Sequence, residues 1–144
     1  MALFEAGHIG VQFRRDGQPF APFADVGFSL EAGCLYNLTG PSGSGKSTLL
    51  NACALMLPRS GGTLTLNATE DGIQADGDLT ISGGTFHVKT NGGHTTALTD
   101  DSASCKGFKA GGALTVTGGT LTVDSADDAL HAGTDVTISG GTLT

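Results

Sequence analysis

No apolar run in the 144 residues approaches the length that spans a bilayer. The opening MALFEAGHIG carries an acidic Glu5 and lacks a basic stretch leading into an apolar one, so no secretory signal is read there and the chain is expected in the cytoplasm. Cysteine is scarce. Cys34, Cys53 and Cys105 are odd in number and show no CxxC spacing, which argues against a disulfide framework or a zinc site and favours three reduced thiols. Positive charge is scarce too: 7 Lys and Arg stand against 14 Asp and Glu. The resulting net charge of -7 argues against nucleic acid or an anionic membrane surface as partner, because phosphates would repel it.

These shortages are unevenly spread. All 4 prolines (19, 22, 41 and 58) lie in residues 1–67, where acids and bases balance. Residues 68–144 hold no arginine, three lysines and ten of the acids, and therefore the whole net charge. Fifteen of the nineteen threonines are there as well. Such a shift in composition marks a domain boundary.

In the first part, residues 40–48 read GPSGSGKST, matching G-x-x-x-x-G-K-[ST] with Gly40, Gly45, Lys46 and Ser47 at the fixed places. Glycines in such a loop let successive backbone N–H groups turn toward phosphate oxygens. Lys46 adds positive charge, the Ser47 hydroxyl can join a Mg²⁺ shell, and the following helix aims its N-terminal dipole at the same anion. Residues 34–39 are β-prone and predict a buried strand before the loop. Residues 47–57 predict a helix stopped by Pro58.

The run FADVGFSLEAGCLYNLTGPSGSGKSTLLNACALMLPRSGGTLTLN resembles the opening of ABC transporter ATP-binding subunits, and the resemblance covers about residues 3–67. It implies a strand over residues 26–30, a turn at residues 31–33, a second strand and then the loop. Ligands would be ATP and Mg²⁺, held by Gly40, Ser42, Gly43, Ser44, Gly45, Lys46, Ser47 and Thr48. It also implies an aromatic stacked on adenine, for which Phe13 is best placed; a sheet-core role for Phe13 stands beside that reading. A parent subunit would pair with a second ATPase subunit and a membrane permease, which would make the chain peripheral to the membrane. The family's glutamine loop, LSGGQ signature, Walker B acids and switch histidine are not found in these residues, so nucleotide binding without hydrolysis is expected.

The second part repeats. Gly-Gly-Thr occurs with its glycines at 61–62, 83–84, 118–119 and 140–141, in steps of 22, 35 and 22 residues, the long step being one repeat plus a 13-residue insertion at about 91–103. Aligned columns hold Ile73/Phe108/Leu130, Ala75/Ala110/Ala132, Leu79/Leu114/Val136, Ile81/Val116/Ile138, Phe86/Leu121/Leu143 and Val88/Val123. Three alternating apolar pairs per repeat predict three short strands with every second side chain inward, and a right-handed parallel β-helix of about 22 residues per rung. Outward Thr80, Thr115 and Thr137 form a column that could face a surface, or simply suit strands.

Residues 60–144 resemble bacterial carbohydrate-binding β-helix proteins similar in fold to pectate lyases. The resemblance implies binding of an acidic, pectin-type polysaccharide with Ca²⁺ as a bridge. The matching carboxylates are Glu70, Asp71, Asp127 and Asp128, with Asp100 and Asp101 in the insertion. Cys105-Lys106 interrupts that acidic column, and a solvated acidic corner is the plainer reading. No histidine cluster or arginine marks lyase chemistry here, so a binding or structural module is expected.

The expected architecture is therefore mixed: a truncated α/β P-loop NTPase segment of ABC type over residues 1–60, then an all-β right-handed parallel β-helix over residues 61–144. SGGTLT occurs at both 60–65 and 139–144 and fits either pattern, which suggests a chimera of two incomplete pieces joined at that word. On that view the first 60 residues should pack poorly.

Overall fold

The computed structural model describes residues 2–54, 61–98 and 104–144. It has strands β1 (Ala2–Arg15) and β2 (Gln18–Glu31), one helix α1 (Lys46–Cys53), and ten further strands. These are β3 (Gly61–Ala68), β4 (Ile73–Ala75), β5 (Leu79–Ile81), β6 (Thr85–Thr90), β7 (Phe108–Ala110), β8 (Leu114–Val116), β9 (Thr120–Asp124), β10 (Leu130–Ala132), β11 (Val136–Ile138) and β12 (Thr142–Leu143).

This overturns the mixed architecture. Strands take 51% of the described residues and helix only 6%, so the fold is a small, nearly all-β sheet domain without an α/β P-loop segment. Residues 34–39, expected to supply the strand before the loop, form none, and Leu35 is 99% exposed. A strand inside a parallel sheet needs partners for its N–H and C=O groups. Here β1 pairs with β2 on one side and β3 on the other, both antiparallel, so the sheet is complete without residues 34–39. The expected strand over residues 26–30 is the end of the 14-residue β2. The expected helix starts one residue early at Lys46 and ends at Cys53; residues 55–60 lie outside the described residues.

β1 and β2 are joined at Asp16-Gly17, both at positive φ (51° and 78°), the backbone that a two-residue hairpin turn requires. Register shifts around Ala6–Ile9 coincide with His8 and Asp25 at positive φ, as in a β-bulge.

The label of right-handed parallel β-helix does not stand either. One sheet is mixed, in the order β12-β9-β6-β3-β1-β2, its four short parallel strands continued by the antiparallel hairpin. The other two are small parallel sheets, β10-β7-β4 and β11-β8-β5. The aligned columns are nevertheless neighbours in space: Phe108 pairs with both Ile73 and Leu130, and Leu114 with both Leu79 and Val136.

Alternation along each strand turns one set of side chains inward, where Leu64, Phe86, Leu121, Phe108, Leu114 and Val116 are buried. Each such side chain contributes about 1.5–3 kcal/mol by leaving water. The rings of Phe86 and Phe108 meet edge-on, with centroids 5.7 Å apart. The second glycine of each Gly-Gly-Thr turns the chain at positive φ; a Cβ on Gly119 would sit 2.8 Å from the Gly84 carbonyl oxygen.

The first part shares this core. Ala6, Ile9 and Val11 of β1 and Leu49 and Ala52 of α1 are buried in the same cluster as the repeat residues. The expectation of a poorly packed N-terminal segment is thus corrected for the middle of β1 and for α1, whereas β2 holds no buried residue. The cause is β3, which pairs with β1 on one edge and β6 on the other.

Candidate functional site

The glycine loop is curled by its own glycines. Gly43 (φ 79°) and Gly45 (φ 88°) adopt left-handed backbone, which lets the chain curl before α1 begins. Gly45 is the N-cap and no side chain caps the helix, so its first N–H groups lack that partner. Lys46 folds back across the loop: its Nζ donates to the carbonyls of Gly40 (2.9 Å) and Pro41 (2.7 Å) and to Ser44 Oγ (3.4 Å). The ammonium is thereby held on the loop's own oxygens.

The loop rests against the tip of the β1–β2 hairpin. A Cβ on Gly45 would come within 3.2 Å of the Phe23 ring and 3.6 Å of Pro22, so only glycine permits this approach. Between loop and hairpin lies a cleft of about 370 Å³. One wall is Ser42, Gly43 and residues 45–48; the other is Phe13, Arg15, Phe20 and Pro22. Of the sequence-predicted nucleotide residues, the cleft therefore brings together Phe13, Ser42, Gly43, Gly45, Lys46, Ser47 and Thr48, while Gly40 and Ser44 hold the lysine from behind. Sequence reasoning missed Arg15 and Phe20. Hairpin register could have found them, since Phe13 stands opposite Phe20 across the two strands.

The residues predicted for Ca²⁺ are placed differently. Glu70 is exposed, and Asp100 and Asp101 lie outside the described residues. Asp71, Lys106 and Asp127-Asp128 stand at successive corners, tied by backbone bonds from Gly72 N–H to the Lys106 carbonyl (2.8 Å) and from Gly107 N–H to the Asp128 carbonyl (2.9 Å). Asp71 accepts from Lys109 Nζ (2.7 Å), Ser104 Oγ (2.7 Å) and the Lys106 N–H (2.9 Å). Lys106 Nζ donates to Asp127 and lies 3.7 Å from Asp128, which His131 also approaches at 3.1 Å. The lysine that interrupts the acidic column thus bridges the carboxylates above and below it. Among the described residues, no group of three or more His, Cys, Asp or Glu is gathered to hold a metal.

Burial pushes the Asp71 carboxyl up, but the donors from Lys109, Lys106 and Ser104 outweigh it and hold its pKa below the usual 3.8. The bond from Lys106 does the same for Asp127 against its burial. Both carboxyls are depressed in the folded chain, so their stabilisation is complete above the unfolded value and is lost as pH falls through the folded ones. Thermal unfolding followed by circular dichroism between about pH 5 and pH 2 should show the midpoint fall below about pH 4. A double variant, Asp71→Asn with Asp127→Asn, should flatten that fall.

A second polar group pins the start of the insertion. Asp124 accepts from the His94 N–H (2.8 Å) and lies 2.7 Å from His94 Nδ1, with Lys89 Nζ at 3.0 Å. These donors, the His94 backbone first, hold the Asp124 carboxyl well below the usual range.

Comparison with known proteins finds matches of two kinds. A family model described as "Carbohydrate-binding domain-containing protein" matches residues 56–144, more than half the chain. The chain belongs to this family. The chain is also similar to stretches of ABC ATP-binding proteins. The cytochrome c biogenesis ATP-binding export protein CcmA of Mesorhizobium japonicum is 52% identical over 46 residues, 32% of this chain and 23% of that protein. The methionine import ATP-binding protein MetN of Streptococcus pyogenes serotype M6 is 29% identical over 90 residues, 62% of this chain and 23% of that protein. The chain thus spans about a quarter of the length of these relatives. No solved structure matches it. Among the described residues no helix is long and apolar enough to cross a membrane.

Proposed function

We propose that the chain binds a nucleoside phosphate, with Mg²⁺, in the cleft between the glycine loop and the β1–β2 hairpin, and does not hydrolyse it. The observation that carries this reading is the loop itself: Lys46 Nζ within 2.7–3.4 Å of Gly40, Pro41 and Ser44, and a cleft-facing Ser47. Phosphate oxygens would take the N–H groups of residues 43–48 and the ammonium, Ser47 would offer its hydroxyl to Mg²⁺, and the base would lie against Phe13. The similarity to ATP-binding proteins supports this ligand. Hydrolysis needs a group that positions the attacking water, and among the described residues none lining the cleft is a carboxylate or a glutamine. Calorimetric titration with Mg-ATP should give saturable binding with no phosphate released. Absence of binding at millimolar nucleotide would remove the proposal.

The family match favours a second activity, carbohydrate binding by residues 61–144 as a separate unit of function. Every lysine of that part is already paired with a carboxylate: Lys89 with Asp124, Lys106 with Asp127, Lys109 with Asp71. A uronate would meet no free cation there, so an acidic, pectin-type chain needs Ca²⁺ as its bridge, whereas an uncharged glycan needs none. Retention on polygalacturonate only with Ca²⁺, against retention on neutral polysaccharides in chelator, decides between the two. Retention on neither would remove carbohydrate binding.

A further inference from the structure

The cleft has an electrostatic feature that the glycine loop does not account for. This chain carries a net charge of -7, yet the cleft is lined by two cations, Lys46 and Arg15, and by no carboxylate. Arg15 is the last residue of β1, beside the hairpin turn, and its guanidinium carbon sits 4.8 Å from the centroid of the Phe20 ring. Stacking of this kind uses the flat face of a guanidinium and leaves its N–H edge free to donate. Among the described residues no carboxylate pairs with Arg15. The cation is therefore oriented, discharged by nothing, and turned into the same cleft as the loop.

We propose that Arg15, held beside Phe20, is a second phosphate-binding cation of this site, taking nucleotide oxygens that the glycine loop does not hold. The proposal rests on the nucleotide reading above and adds residues from the hairpin to it. Lys46 and the backbone donors of residues 43–48 serve one wall of the cleft, and Arg15 stands on the other. A chain of two or three phosphates extends from the loop and offers oxygens to both walls, and a planar guanidinium can take two of them at once. Phe20 stands directly across from Phe13 in the hairpin, and both rings are partly exposed, 42% and 36%. With Arg15 over the Phe20 ring, Phe13 is the ring left to meet a purine face.

The test is competition against a fluorescent mant-ADP on the full chain, with ADP, ATP, AMP and inorganic tripolyphosphate as competitors. The expected order is ATP and ADP well ahead of AMP, with tripolyphosphate competing measurably. Arg15→Gln should weaken ADP about tenfold, the equivalent of one charge-assisted contact, while changing AMP less than about twofold. Arg15→Lys should recover part of the loss, because it restores charge but not the stacked fork. Phe20→Ala should weaken ADP several-fold. Arg15 and Phe20 are at the exposed hairpin tip, so circular dichroism and the thermal midpoint should be unaltered in these variants. ADP binding that falls in Lys46→Ala but is unchanged in Arg15→Gln would overturn the second cation and leave the nucleotide site standing. No nucleotide binding by the unsubstituted chain would end both readings together.

Discussion

Phe108→Ala is expected to lower the unfolding free energy by about 3–5 kcal/mol, the largest loss any single truncation should produce in this chain. Phe108 is fully buried in the middle strand of the β10-β7-β4 sheet, with Leu130 in register on one side and Ile73 on the other. Its ring also meets that of Phe86 in the mixed sheet, so one side chain touches residues from two of the three sheets. Backbone hydrogen bonds hold the strands at fixed spacing, and the cavity left by alanine cannot collapse. Phe108→Leu keeps most of the volume and should cost less than about 1.5 kcal/mol. Urea unfolding measures both. The midpoint should fall with the slope unchanged, and a loss below about 1 kcal/mol for alanine would mean that the stacked sheets are not the core.

Lys46→Ala is expected to weaken Mg-ATP binding by about ten- to a hundredfold, since a charge-assisted hydrogen bond of about 1.5–3 kcal/mol is removed. The fold should tolerate it. The ammonium bonds only to loop oxygens, and alanine is a good helix former at the first position of α1. Isothermal titration of both proteins measures the ratio, and a ratio near one would exclude the loop as the phosphate site.

Much of the second part is legible in the residues because its period is exact. A column such as Ile73/Phe108/Leu130 marks one inward position on three successive strands, and parallel pairing in register sets those residues side by side. The loop is legible for a different reason: positive φ at Gly43 and Gly45 is a local property of glycine, independent of what precedes it.

What precedes it was not legible. The run at residues 34–39 has the composition of a strand, but a strand is completed by partners, and the hydrogen-bonding edges of β1 are taken by β2 and β3. Two contributors to the cleft, Arg15 and Phe20, are placed by the hairpin turn at Asp16-Gly17 and not by any motif. Lys106 reads in alignment as a break in an acidic column, whereas in space it neutralises Asp127 and donates its N–H to Asp71. Alignment says which residues are stacked and is silent on whether neighbours compensate or compete. The tie between His94 and Asp124 joins the insertion to β9 across 30 residues and falls outside the repeat altogether.

The central claim is that a phosphate-binding loop is carried on a β-sheet domain, facing its hairpin. Titration of the ¹⁵N-labelled chain with Mg-ADP, followed residue by residue in amide correlation spectra, tests it most directly. The account predicts saturable shifts at residues 42–48 and at Phe13, Arg15 and Phe20, with β4 to β12 unmoved. Shifts confined to the repeat strands, or none at millimolar nucleotide, would contradict it.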